Sequence, residues 1–325
     1  MDDAFEAVAA ENKLLRKELK TLRERVAAFE SSRWWRAHPR YAVRRITARS
    51  DRSGNDDVEH TIQWDVRRVA HQRRLKVEFE RRNANRKPDE IVICDGISLH
   101  VHPEPRWSFE QYCYGVPEMV DELDGFLALV PARRRLLDVG AFHGLFSLVF
   151  AAIDRTKEAV AVDPSPVAFA KLLYNIHRNR SENITALECA LSSECGVLEM
   201  HYELEHAVAG RRGTGADRLR VPSDTGDSLC DKHSFAPDVI KIDVEGHELR
   251  VIQGLRETIR RNRPLIFLEV HPGMICSNPT NGHVSDLVHE LVALGYPLAD
   301  VRKTLVPTED ISALRDVERL LLRPE

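Results

Sequence analysis

The chain has 325 residues, a net charge of −4, 43% hydrophobic and 30% charged residues, the balance of a globular chain with a sizeable core. No apolar run approaches the roughly 20 residues of a membrane-spanning helix, and the first 30 residues lack the apolar stretch of a secretory signal. The six cysteines contain no CxxC pair and read as reduced thiols, so a cytoplasmic protein is expected.

Charge is unevenly distributed. Residues 31–87 carry +9 and residues 88–325 carry −12, which suggests two surfaces with different partners. Three regions follow: a coiled coil over 1–30, a basic, partly helical linker over 31–88, and an α/β domain over 89–325.

Residues 5–29 keep a heptad, with Phe5, Asn12, Leu19 and Val26 at a and Val8, Leu15, Leu22 and Phe29 at d. The 3-4 spacing puts one apolar seam toward a partner, and Asn12 is of the type that fixes register. In a parallel pair Glu11 would face Arg16, Glu18 would face Arg23 and Arg25 would face Glu30, all of opposite sign. A parallel homodimer through 5–29 is expected; the alternative is one amphipathic helix lying on its own domain.

Residues 31–52 interleave Trp34, Trp35 and Tyr41 with Arg33, Arg36, Arg40, Arg44 and Arg45. Guanidinium groups and flat amphipathic rings suit an anionic membrane surface. An Arg-rich linker is the plainer reading, and no nucleic-acid-binding motif is present. The spacing of Val58, Ile62, Val66 and Val69 predicts a helix over 57–83, which Asn83 to Pro88 ends.

Beyond residue 89, strands and helices alternate, the pattern of a doubly wound, mostly parallel sheet. Strands are predicted at 91–94, 97–101, 135–139, 159–163, 184–188, 239–243, 265–269 and 320–322. Helices are predicted at 116–130, 145–153, 166–179, 246–260 and 283–294. The strand at 135–139 runs into Asp138-Val-Gly140-Ala-Phe-His-Gly144, where glycines permit a tight turn and close approach of a ligand. Asp163 ends the next strand, where an acid can accept hydrogen bonds from ribose hydroxyls. Phe142 stands where a dinucleotide fingerprint needs its second glycine, and no GK[ST] follows, so no pyrophosphate cradle is expected. A nucleoside ligand without a diphosphate fits better.

The strand at 239–243 ends Lys241-Ile-Asp243-Val-Glu245-Gly246-His-Glu248, and the strand at 265–269 ends Glu269-Val-His271. Alternation puts Lys241, Asp243 and, if extension persists, Glu245 on one face, and Glu269 with His271 on one face. With Asp138 they would converge at the switch point of the sheet. An internal ion pair of Lys241 with Asp243 or Glu269 is the alternative. A second His is missing after His247-Glu248, which excludes an HExxH zinc site.

The runs LLDVGAFHGLFSLVFA (136–151), AVDPSPVAFAKLLYNIHRN (161–179), DVIKIDVEGHELRVIQGL (238–255) and PLIFLEVHP (264–272) together resemble the FkbM family of S-adenosylmethionine (SAM)-dependent methyltransferases. The resemblance covers about residues 90–325. It implies a class I methyltransferase fold with seven strands, the last antiparallel, SAM as cofactor, and O-methylation of a sugar or polyketide hydroxyl. It implies that Asp138, Gly140 and Gly144 shape the methionine pocket and that Asp163 holds the ribose. Asn175 and Asn179 match the family's Asn-x-x-x-Asn and are expected to brace the loop of the second strand. Asp243, Glu245, Glu269 and His271 match its catalytic end. Where the family carries Asn, this chain has Phe142.

Methyl transfer to an alcohol needs alignment and removal of a proton. His271 is a candidate base, with a pKa near 6.5 unless its surroundings shift it. A divalent cation on the carboxylates would serve instead. A degenerate SAM-binding scaffold that recruits glycan-assembly partners through the zipper is the competing class of function.

Overall fold

The computed structural model describes residues 71–94, 96–203, 206–209, 218–277, 281–296 and 318–324. The zipper and the basic stretch at 31–52 lie outside these residues, and the helix expected over 57–83 is seen from 71 to 83. The unit that holds the sheets spans Val66–Glu325; helix 71–83, grouped by sequence with the linker, buries Phe79 in the core of that unit.

A hairpin, β1 (Glu90–Cys94) and β2 (Ile97–His100), precedes helix Pro117–Leu129. The main sheet is built from β3 (Arg135–Val139), β4 (Glu158–Val162), β5 (Ile184–Leu187), β10 (Val239–Ile242), β11 (Leu265–Val270) and β12 (Glu318–Leu322). Their order is β12-β11-β10-β3-β4-β5. All neighbours are parallel except β11 and β12, which are antiparallel. Strands such as Val239-Ile-Lys-Ile242 are buried at every position, as a parallel sheet covered on both faces requires. One face carries Phe126, Phe146, Leu148 and Leu172, from helices Pro117–Leu129, Leu145–Ile153 and Pro166–Asn179. The other carries Leu229, Leu249, Ile252, Ile259 and Leu287, from helices Gly226–Lys232, Glu248–Gly254, Arg256–Asn262 and Val284–Ala293. The chain winds outward from β3 to β5 and then returns to lay β10 beside β3 on its other side. The crevice at the carboxyl ends of β3 and β10 is therefore the switch point.

Two expectations change, and one is met in part. The main sheet shows six strands among the described residues, where seven were expected. A second sheet of β6 (Ala190–Leu191), β7 (Gly196–Glu203), β8 (His206–Ala209) and β9 (Arg218–Asp224), in the order β6-β9-β7-β8, was not anticipated. Pro222 sits inside β9, and a proline argues against a strand in sequence. The helix expected over 246–260 is two helices that break at Leu255, and it starts at Glu248 because Glu245 (φ 51°) and Gly246 (φ 99°) make a left-handed turn.

Candidate active site

The loop after β3 is fixed from three sides. Val162 O accepts the N–H groups of Gly140 and Ala141 at 2.9 and 3.0 Å. Gly140 has φ 78°, and a Cβ there would lie 1.8 Å from the Asp243 carbonyl oxygen, so only glycine lets the loop meet the end of β10. Asp163 Oδ2 accepts the Phe142 N–H at 2.8 Å, and its Oδ1 accepts the Ser165 N–H at 2.8 Å. Phe142 itself has φ 51°, a region that Asn tolerates far better than Phe. The Asn that the family resemblance implies at this position would have a backbone reason.

Asp138 Oδ2 accepts both the backbone N–H and the hydroxyl of Ser147, at 3.2 and 2.6 Å. It caps the first turn of helix Leu145–Ile153 from a neighbouring strand. Burial pushes its carboxyl up to about 6 against the pull of Ser147 and Lys241. Asn175 is fully buried; it donates to His143 O at 2.9 Å and accepts the His102 N–H at 2.7 Å. Asn179 makes the same paired contact with His100, at 2.6 and 2.7 Å. The two asparagines brace the loop after β3 and the segment after β2, not the loop of the second strand as sequence suggested. An amide side chain supplies the one donor and one acceptor that two such backbone groups need.

At the ends of β10 and β11 the charged residues do come together, and two further residues join them. Lys241, 1% exposed, has its Nζ 3.3 Å from Glu122 Oε1, 3.7 Å from Asp243 Oδ2 and 3.9 Å from Glu269 Oε2. Arg319, on β12, donates to Glu122 Oε2 at 2.9 Å and to Glu269 Oε1 at 2.6 Å. The ion pair weighed from sequence is thus present, as a network. Glu122 reaches it from helix Pro117–Leu129, among Val120, Leu123 and Phe126, which share its burial. A carboxylate at a buried helix position was the signal that could have found it.

His271 points into the same place. Its Nδ1 is 2.8 Å from Glu248 Oε1, and both residues are buried. Its Nε2 lies 3.5 Å from Glu245 Oε2, 3.6 Å from Glu269 Oε1 and 3.9 Å from Asp243 Oδ1, with no hydrogen bond. Glu245 arrives there through the left-handed turn, since β10 ends at Ile242. Burial disfavours the charged ring, but Glu245, Glu248 and Glu269 outweigh it and lift its pKa to about 10. The ring as it stands is an imidazolium near neutral pH, not the free base of unshifted pKa. Burial works against ionised Asp243 and Glu269 alike; Lys241 and His271 hold Asp243 low, and Glu269, with Asp243 beside it, rises. Asp243, 26% exposed at its side chain, opens the cluster to the crevice. Asp243, Glu269 and His271 each offer one donor atom, all within 4.8 Å of one another.

Comparison with known proteins places this crevice in context. Residues 138–296 match the Methyltransferase FkbM domain, which takes in every strand end just described up to His271. The chain is 28% identical to Methyltransferase sdnD of Sordaria araneosa over 46% of this chain and 66% of that protein. It is 29% identical to Hexuronic acid methyltransferase AglP of Haloferax volcanii over 43% of this chain and 56% of that protein. The matches thus span less than two thirds of the length of these relatives. Among solved structures, a Methyltransferase FkbM from Methylobacillus flagellatus KT aligns at 18% identity and a TM-score of 0.35, over 50% of this chain and 38% of that chain. Residues 138–296, which carry the switch-point loop and its carboxylates, are thus an FkbM methyltransferase domain by family match, over just under half of the chain.

Proposed function

We propose that the protein transfers the methyl group of SAM to a hydroxyl of a sugar, in a glycan or a glycosylated natural product. The observation that carries this reading is the carboxylate-lined crevice at the switch point, within the segment that matches the family. Methyl transfer from a sulfonium needs no further activation of the carbon. It needs the acceptor oxygen aligned behind the methyl and its proton removed. Gly140 and Gly144 turn the loop beneath the cofactor's methionine end, with Asp138 holding the following helix. Asp163 faces the ribose, with each of its oxygens also accepting one backbone N–H. Asp243, Glu245, Glu269 and His271 line the acceptor side. An anionic pocket favours the cationic cofactor electrostatically. The likeness to a hexuronic acid methyltransferase supports a sugar acceptor.

Calorimetric titration with SAM, followed by label transfer to a panel of sugars, tests the reading. SAM should bind, and Asp163→Ala should weaken it about tenfold or more, because hydrogen bonds to a charged group are worth about 1.5–3 kcal/mol each. No heat of binding with SAM would favour the scaffold reading instead. The heptad at 5–29 supports a parallel homodimer: deleting residues 1–30 should then lower the mass in light scattering. The aromatic and basic residues of 31–52 support peripheral contact with anionic lipid. No helix among the described residues is long and apolar enough to cross a membrane.

A further inference from the structure

We propose that Ser192, His247 and Asn281 form a buried hydrogen-bonded relay that positions Glu245 against His271, so that the second sheet sets one wall of the crevice. The three residues are 5%, 7% and 2% exposed. Ser192 Oγ lies 3.0 Å from His247 Nε2, His247 Nδ1 lies 3.2 Å from Asn281 Oδ1, and Asn281 Nδ2 donates to Gly246 O at 2.6 Å. The last bond fixes the direction of the others. An amide whose nitrogen donates to Gly246 O turns its oxygen toward His247, so Nδ1 carries the proton. Burial holds the His247 ring below its ordinary pKa. The ring is therefore neutral, and Nε2 accepts the Ser192 hydroxyl.

The relay ends on a strained turn. Glu245 has φ 51°, a left-handed conformation that a residue with a side chain keeps only where its surroundings fix it. The peptide groups of Gly246 supply that fixing. Glu248 Oε1 accepts the N–H at 3.0 Å, and Asn281 holds the carbonyl oxygen. Gly246 (φ 99°) also packs closely on Met274, since a Cβ there would lie 2.7 Å from Met274 Cβ. Because β10 ends at Ile242, this turn is what brings Glu245 Oε2 to 3.5 Å from His271 Nε2.

The other end of the relay is anchored in the second sheet. Ser192 follows β6, and its N–H donates to the carbonyl of Asp224, the last residue of β9, at 2.9 Å. Helix Glu248–Gly254 lies directly on it: a Cβ on Gly254 would be 2.0 Å from Ser192 O. A hydroxyl and an imidazole in series can also make a nucleophile. Here all three members are buried and the chain of bonds ends on a backbone carbonyl, so the arrangement orients and does not react. What the positioning serves rests on the proposed methyl transfer; the positioning itself does not. In that reaction the relay sets how Glu245 and His271 stand toward the acceptor.

The test reads the proton affinity of His271 by nuclear magnetic resonance of the labelled histidine rings in the full-length protein. Glu245→Gln should weaken that affinity about tenfold or more, since a carboxylate 3.5 Å away loses its charge. His247→Ala and Asn281→Ala should each weaken it about threefold or more, because Glu245 is no longer held. Asp243, Glu248 and Glu269 also face the ring and are unchanged in these variants. Added to Glu245→Gln, Asn281→Ala should change nothing further. Asn175→Ala, which removes a buried asparagine from another brace, should lower stability without moving His271. Should Asn281→Ala fail to fold, Ser192→Ala removes a single oxygen at the far end and carries the same comparison. An unmoved His271 in the folded variants, or one moved equally with and without the Glu245 charge, overturns the relay. A SAM titration separates the two proposals. SAM binding with an unmoved His271 removes the relay and leaves methyl transfer; a moved His271 without SAM binding does the reverse.

Discussion

Lys241→Met keeps the length of the side chain and deletes its charge. The ammonium is 1% exposed and faces Glu122, Asp243 and Glu269 at 3.3, 3.7 and 3.9 Å. At an effective dielectric of about 20, each pair attracts by about 4–5 kcal/mol before desolvation is counted. Burying the ammonium costs several kcal/mol of that. The net loss on removing one partner of such a network is about 3–5 kcal/mol, because Glu122 and Glu269 are left to share Arg319 and Asp243 loses its ammonium partner. Urea unfolding monitored by tryptophan fluorescence measures it directly. A double variant with Glu122→Gln should recover about 1–3 kcal/mol relative to additivity, since one of the stranded charges is gone. The sign of the pH dependence also follows. Carboxylates that lose their counter-ion have raised pKa values, so their protonation relieves the variant, and the gap to wild type should narrow as pH falls from 8 toward 5. A loss below about 1 kcal/mol, with additive double-variant energies, would show that the cluster does not depend on Lys241, and the electrostatic account would fail.

Asn175→Ala strands the carbonyl of His143 and the N–H of His102 in the core, which should cost about 2–4 kcal/mol in chemical unfolding. Gly140→Ala puts a methyl 1.8 Å from the Asp243 carbonyl oxygen at φ 78°; it should cost more than about 2 kcal/mol and abolish SAM binding by calorimetry. Phe142→Asn should raise the thermal midpoint by relieving a left-handed phenylalanine (φ 51°), worth about 1 kcal/mol, less what its ring contact with His143 contributes. Asp224 is held down at about 2: burial opposes this, but Cys195, Lys232 and Thr225 donate to it. Its folded value lies below its unfolded one, so it stabilises above pH 4, and that contribution is lost as pH falls to 2. Asp224→Asn should cost about 2 kcal/mol at pH 7 and only a small fraction of that at pH 2 in acid-unfolding curves.

The buried charges also explain a division of labour within the crevice. Asp138 and Asp163 accept hydrogen bonds from Ser147, Phe142 and Ser165, so they hold the loop that a cofactor would meet. Asp243 and Glu269, crowded beside Lys241, His271 and Arg319, have their ionisation pushed apart instead. Groups whose environments separate their pKa values are those suited to proton and cation chemistry.

The sequence by itself determined most of the architecture, because the signals were local. Val239-Ile-Lys-Ile242 and Leu265-Ile-Phe-Leu-Glu-Val270 are apolar runs that only a covered parallel sheet can use. Pro166 and the cap Ser165 start a helix where periodicity places one. The family was legible for the same reason: strand ends carry its residues in fixed short spacings. The tertiary structure alone decided the site. Glu122 and Arg319 are 197 residues apart in the chain and 2.9 Å apart in the fold, and no local pattern encodes that meeting. Alternation along β10 put Glu245 on the right side for the wrong reason, since a left-handed turn rather than extended backbone carries it there. The antiparallel partner β7 took Pro222 into a ladder that sequence rules exclude. The charge state of His271 was likewise beyond the sequence. An imidazole's pKa is set by which carboxylates surround it and how little water reaches it, and both are properties of packing.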